Sequence, residues 1–288
     1  MNKVAVLRSA AVLCMALLCM AWLALAGSVG TAVAAEGAGE ATRAAGPAGE
    51  PAGAEAESEA LDWRAWRADN KVDSINSLQR GARNFMGYCV TCHSLKYLRY
   101  SRMARDLEIP TDLLQRNLMP IAASPNDYIG TSLRAEDGAA WFGKEPPDLS
   151  LMARARGPDY IYRFLKSFYT DPARPTQTNN LQLENAAMPA VLSDLGGVQA
   201  AVYRNEQRVV EGKPVVEKVF SHFEETTPGR LSPQEFDEFV RDTVNFLDYA
   251  GDPTQVARRS MGVWVVLFLL VATWLAWLLK KEYWKDVH

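Results

Sequence analysis

Cys89-Val90-Thr91-Cys92-His93 is the stretch on which the fold turns. Its spacing, C-x-x-C-H, is the attachment signature of a c-type haem. Two thiols add across the two vinyl groups of one haem, and the next residue offers an imidazole to the iron. A bare C-x-x-C also serves as a thiol redox pair or as half of a zinc site. The first wants a βαβ context and the second wants a further ligand pair; the chain reads as neither. Of its four cysteines, Cys14 and Cys19 fall in an apolar N-terminal stretch expected to be removed. The remaining pair, Cys89 and Cys92, then carries one covalent haem c, with His93 as the proximal ligand.

Outward from the motif, the pattern is helical. Leu78, Gly81, Ala82, Phe85, Met86 and Cys89 recur at three- and four-residue steps from Ser74 onward, which makes one apolar helix face running into the motif. Gly81 leaves room for a second helix to come close. The candidate partner begins at Ser232-Pro233-Gln234-Glu235, a capping box with proline at the first helical position. Phe236, Phe239, Val240, Thr243 and Leu247 continue it as an apolar stripe that stops before Gly251-Asp252-Pro253. Two helices crossing beside a haem is the plan of small c-type cytochromes, although unrelated core helices explain the stripes equally well. Between them lie loops rich in proline and glycine, a short helix over Asp159 to Phe168, and a short hairpin over 209–216.

The ends read as membrane and export elements. Lys3 and Arg8 precede an uncharged run from Ala10 to Ala26, and Ala32-Val33-Ala34 is an A-x-A cleavage site. Residues 1–34 are therefore expected to be a signal peptide; an uncleaved anchor is the alternative, and either one exports the domain behind it. Residues 35–60, almost wholly Ala, Gly, Glu and Pro, read as a disordered lead-in. Next come a domain over 61–257, an anchor over 258–280 and a tail over 281–288. The run from Met261 to Leu279 carries no charge and is long enough for a bilayer core of about 30 Å. Trp264, Trp274, Trp277, Tyr283 and Trp284 sit towards its ends, as an aromatic belt does. Export of the haem domain orients the anchor, with its N-terminal side in the periplasm and a short tail in the cytoplasm.

The net charge is −3. Residues 219–252 hold eight acids against Arg230 and Arg241. A solvated face explains such a run; it also suits a basic soluble partner. Nothing suggests nucleic acid.

The sixth iron position separates a closed electron-transfer site from an open one that binds gases or acts on peroxide. His288 lies beyond the anchor and His222 reads as a surface residue. Met86 lies on the proximal helix, and Met103 and Met152 are in helical contexts and read as core fillers. Met119-Pro120 and Met188-Pro189 both stand in loops, and spacing does not separate them.

From about Leu78 to the C-terminus the chain resembles the cytochrome c1 family, the haem subunits of cytochrome bc1 complexes. The resemblance rests on Gln79-Arg80-Gly81 through the motif to Ser94, on Pro146-Pro147-Asp148-Leu149-Ser150, and on Arg154-Ala155-Arg156 with Asp159-Tyr160. It continues in Asn185-Ala186-Ala187-Met188-Pro189, Asn245-Phe246-Leu247 and Arg259-x-Met261-Gly262. It implies a mainly α, cytochrome c-like haem domain with long loops and one C-terminal transmembrane helix. It also implies Met188 as the second iron ligand, Arg156 on a haem propionate, Tyr160 near the haem and Pro147 against the ring. Residues 181–184 lack the Pro/Gly-rich lead-in of mitochondrial members, and no cysteine is left for the extra disulfide of some bacterial ones.

The resemblance makes the chain an electron relay in the bacterial inner membrane. It would take one electron from a Rieske iron–sulfur protein and pass it to a soluble cytochrome c. It would stand beside cytochrome b in a dimeric, quinol-oxidising, proton-translocating complex, and make and break no bonds itself. The rivals are another membrane-anchored cytochrome c, against which the P-P-D-L-S block argues, and a haem sensor or peroxidase with an open site.

Overall fold

In the computed structural model, which describes residues 62–210 and 213–286, a 3-10 turn at Trp63–Ala65 leads into α1 (Ile75–Tyr88), which ends at the Cys89 motif. Then come β1 (Leu95–Arg99), α2 (Tyr100–Asp106), α3 (Thr111–Asn117), β2 (Tyr128–Ile129) and α4 (Ala135–Phe142). Short helices α5 (Met152–Arg156) and α6 (Pro158–Lys166) precede strands β3 (Phe168–Thr170) and β4 (Thr178–Asn180). A single turn, α7 (Ser193–Gly196), opens a hairpin of β5 (Val198–Val210) and β6 (Lys213–Thr227). The chain closes with α8 (Pro233–Gly251) and α9 (Gln255–Tyr283). The expected signal peptide, the whole of the 35–60 lead-in, and His288 lie outside the described residues.

The α1–α8 crossing organises the domain. Leu78, Ala82 and Phe85 on α1 and Val240, Val244, Phe246 and Leu247 on α8 are buried in one core. The Phe85 and Phe246 rings meet at 5.8 Å, and full burial of each stabilises by about 1.5–3 kcal/mol. The contact is set by Gly81: a Cβ there would lie 2.0 Å from the Asp242 carbonyl oxygen and 2.6 Å from Phe246 Cβ. The expected close approach is therefore real. The Asp242 carboxylate at the crossing is paired, as burial demands. Arg80 Nε meets Asp242 Oδ2 at 2.5 Å and Ser77 Oγ donates to Asp242 Oδ1 at 2.6 Å.

Helix α8 starts as its sequence dictates. The Ser232 hydroxyl accepts from Glu235 N, and the Glu235 carboxylate accepts from Ser232 N at 2.9 Å. Helix α6 begins one residue before the expected start and ends at Lys166, because Phe168 pairs with Asn180 in the β3–β4 ladder.

The hairpin is far longer than the short one expected. Pairing runs from Val198↔Thr227 to Val210↔Lys213. The middle of the extra length is polar (Asn205 facing Lys218 and Glu206 facing Glu217), which interrupts any apolar run that would announce it. Aromatic contacts hold its base: Trp66 to Phe223 at 6.3 Å, Phe223 to Phe220 at 4.8 Å and Phe220 to Tyr203 at 6.2 Å, with Tyr203 to Tyr169 at 6.5 Å. The two ends of the hairpin meet. A Cβ on Gly197 would lie 2.6 Å from the Thr227 carbonyl oxygen and 2.9 Å from Gly229 N.

Helix α9 has 29 residues, about 43 Å at 1.5 Å per residue. Its apolar stretch is not buried against the domain, and among the described residues it is the one helix long and apolar enough to cross a membrane. The architecture is mainly α with long loops and one C-terminal transmembrane helix.

Candidate haem site

Helix α1 delivers Cys89 as its C-cap, whose N–H bonds the Phe85 carbonyl at 2.9 Å. Cys92 N and His93 N then both bond the Cys89 carbonyl, at 3.1 and 2.8 Å, so the motif is one tight turn. Cys89 and Cys92 are free thiols, each half-buried. Burial, with Cys92 alongside, pushes the Cys89 thiol up to about 12. A redox-active thiol needs the opposite shift. Among the described residues no three His, Cys, Asp or Glu side chains form a metal-holding group.

His93 is aimed by the P-P-D-L-S block. Its Nδ1 lies 2.8 Å from the Pro147 carbonyl oxygen. That carbonyl can only accept, so Nδ1 carries the proton and Nε2 keeps its lone pair for a metal. Burial pulls the His93 imidazole below its ordinary value, against the opposing effects of Pro147 and Asp148. A neutral ring is the ligating form.

Asp148 holds this block to the motif, a role that sequence reading missed. Its Oδ2 accepts from Ser94 Oγ at 2.6 Å and from Lys96 N at 2.9 Å, and its Oδ1 from Ser150 N at 3.0 Å. Leu149 N bonds the Ser94 carbonyl at 2.9 Å and Tyr97 N bonds Ser150 Oγ at 3.2 Å. Burial pushes the Asp148 carboxyl up, and these hydrogen bonds outweigh it, leaving it below the ordinary carboxylate value. The available signal was two polar residues, Ser94 and Asp148, standing one place after the histidine and one after the prolines. A second clamp crosses the motif, with Thr131 Oγ1 and Leu133 N donating to the Thr91 carbonyl at 2.6 and 3.1 Å.

Arg156 ends α5 and is exposed; its guanidinium lies 5.3 Å from the Tyr160 ring centre. The two residues expected at a propionate are thus neighbours, and Arg156 has no acidic partner among the described residues. Pro147 is exposed beside the motif.

Met188 lies in the loop between β4 and α7. Two buried asparagines fix the run before it, and neither was singled out from the sequence. Asn179 Oδ1 accepts from Asn185 N at 2.8 Å, and Asn180 Oδ1 accepts from Gln182 N and Leu183 N at 2.9 and 3.0 Å. Asn185 takes the left-handed conformation, φ 62°, which asparagine tolerates. Half-buried Met188 borders a cavity of about 730 Å³, with Leu165, Phe168, Leu192 and Phe236 also on its walls. Met119 packs instead against the main core, and His222 is exposed on β6.

The donor set fits a covalent haem c: two free thiols at one helix end and an adjacent imidazole with Nδ1 engaged and Nε2 kept for iron.

The model of the cytochrome C1 family matches residues 66–287. A cytochrome c1 of Allochromatium vinosum is 49% identical over 212 residues, 74% of this chain and 85% of the relative. The ammonia monooxygenase gamma subunit of Nitrosomonas europaea is 38% identical over 212 residues, 74% and 84% of the two chains. A cytochrome c1 of Rhodospirillum rubrum is 28% identical over 252 residues, 78% and 87%. Matched over most of its length, and built around a thiol–thiol–imidazole turn, the chain belongs to the cytochrome c1 family, the electron-carrying subunits of membrane redox complexes.

Proposed function

We propose that the chain is the one-electron relay of a quinol-oxidising, proton-translocating bc1 complex. It takes electrons from a Rieske iron–sulfur protein and passes them to a soluble cytochrome c. The observation that carries the reading is the His93 Nδ1 to Pro147 carbonyl contact at 2.8 Å, which fixes the ring for iron through Nε2. Haem c, when bound, supplies a one-electron ferrous/ferric couple. Cys89 and Cys92 would hold it by thioethers, and His93 and Met188 would be the protein ligands of its iron. Arg156 would offer its guanidinium fork to a propionate, with Tyr160 beside that guanidinium, and Pro147 would pack against the haem. Met119, committed to the main core, is the weaker candidate for the sixth position.

The chain itself makes and breaks no bonds; it positions and tunes the cofactor. Residues 1–34 direct export and 35–60 form a lead-in, so the 61–257 domain stands in the periplasm. Residues 258–280 anchor it in the bacterial inner membrane beside cytochrome b, in a dimeric complex, with 281–288 in the cytoplasm.

The test is the ferric absorption spectrum of wild type beside Met188→Ala and Met119→Ala. Loss of the sulfur-to-iron charge-transfer band in Met188→Ala alone supports the His93/Met188 pair. No such band in wild type brings forward the open-site sensor or peroxidase class. Stable co-purification with a b-type cytochrome and an iron–sulfur protein supports the bc1 assignment. Co-purification with monooxygenase subunits instead would move the chain to the role named for the Nitrosomonas relative.

A further inference from the structure

The anchor leaves the domain through a single buried carboxylate. Asp252 caps α8, its N–H bonding the Tyr249 carbonyl at 3.0 Å, and its side chain is 8% exposed. Its Oδ1 accepts from Thr254 Oγ1 at 2.9 Å. Its Oδ2 is shared by two guanidinium groups from different elements: Arg258 in the first turns of α9, and Arg154 of α5 at 3.9 Å. The packing around it is close. A Cβ on Gly251 would lie 3.1 Å from Arg154 Cγ and 3.4 Å from the Ser150 carbonyl oxygen.

A buried carboxylate is tolerated only where cations and hydrogen bonds compensate it, and removing one partner of such a pair is costly. This one joins three elements: the helix that crosses at Gly81, the membrane helix, and the short helix that carries Arg156. Arg154 and Arg156 are two residues apart, about 200° around a helix. Asp252 therefore holds α5 from one side, while Arg156 lies over Tyr160 on another.

We propose that Asp252 is a positioning residue. Through Arg258 and Arg154 it locks the anchor to the Arg156-bearing helix, and so sets where the cofactor domain stands over the membrane. With the carboxylate gone, the two cations repel each other across the joint and the connection becomes a hinge. The consequence for electron delivery rests on the relay reading; the geometric lock does not.

The experiment places spin labels at Gln115→Cys and Val263→Cys in full-length holoprotein in lipid nanodiscs and reads their distance distribution. Wild type is expected to give one narrow distribution, Asp252→Asn a broad one, and Asp252→Glu a width close to wild type. In the assembled complex, Asp252→Asn is expected to slow quinol-driven haem reduction at least about threefold, while a small soluble reductant still reduces the haem fully and its spectrum is unchanged. If Asp252→Asn does not accumulate, Arg258→Gln removes only the anchor arm and is expected to broaden the distribution in the same way. A distribution as narrow as wild type in both variants overturns the lock. An absent Met-ligated spectrum in wild type would overturn the relay reading and leave the distance result standing.

Discussion

His93 and Pro147, 54 residues apart, are joined by a hydrogen bond of 2.8 Å from the imidazole Nδ1 to the backbone carbonyl. Any residue at 147 keeps that carbonyl, so the side chain that controls the contact is its neighbour Asp148. Asp148→Ala leaves Ser94 Oγ, Lys96 N and Ser150 N without their acceptor. The expected loss is about 2–3 kcal/mol, read as a lower denaturation midpoint of the holoprotein. A weakened sulfur-to-iron band should accompany it as the His93 ring loses its orientation. Asp148→Asn, which keeps one acceptor oxygen, should lose less.

Gly81→Ala drives a methyl group to within 2.0 Å of the Asp242 carbonyl oxygen. Backbone cannot yield as a side-chain tip can, so α1 and α8 must separate. The expected cost is at least about 2–3 kcal/mol, checked by thermal or denaturant unfolding. Gly87→Ala is the control in the same helix, since its Cβ meets nothing within 4 Å.

Arg156→Gln removes a positive charge from the proposed propionate site. The ferric form, carrying one more positive charge than the ferrous, is then relatively favoured, and the midpoint potential should fall by some tens of millivolts. Arg156→Lys keeps the charge but not the planar fork, and should fall between the two in redox titration.

Asp237 ties α6 to α8. Tyr162 OH and Lys166 Nζ both donate to its Oδ1, and Arg241 Nε lies 2.6 Å from its Oδ2. Burial pushes the Asp237 carboxyl up, but the hydrogen bonds from Lys166, Tyr162 and Arg241 prevail and bring it down from 3.8 to about 2. A depressed carboxylate stabilises the fold above its unfolded value and ceases to do so as pH falls through its folded value. About 2 kcal/mol is therefore expected to disappear between roughly pH 4 and pH 2. Asp237→Asn should be less stable at neutral pH and lack this portion of the acid slope, as measured by denaturant unfolding across pH.

What the sequence disclosed were features whose physics is local. The Ser232–Glu235 capping box lies within four residues, and the α1 stripe repeats within one helix. Gly81 was legible because a glycine on an apolar helix face has few other uses. Of the hairpin only the tip was legible; its length was not, because the middle of β5 and β6 is polar and its base is held by Trp66 and Tyr169, distant in sequence. Asp148, Asn179 and Asn180 were illegible for a related reason. Each satisfies backbone groups of a loop whose path is fixed only by the fold, and a polar residue in a loop looks the same whether it is solvated or buried.

Gly197 and Gly229 give the hairpin a further meaning. The chain departs at one and comes back at the other, with backbone so close that neither has room for a side chain: a Cβ on Gly229 would lie 2.4 Å from Gly197 N. Arg230 N and Leu231 N then bond the carbonyls of Asp194 and Leu195 at 3.1 and 3.0 Å, sealing the doorway behind the detour. Everything outside that doorway is a closed excursion, so its outer turns can lengthen, shrink or change charge without pulling on the Met188 loop or on α8. A lineage can remodel this arm for a new neighbour while the surroundings of His93 and Met188 stay as they are.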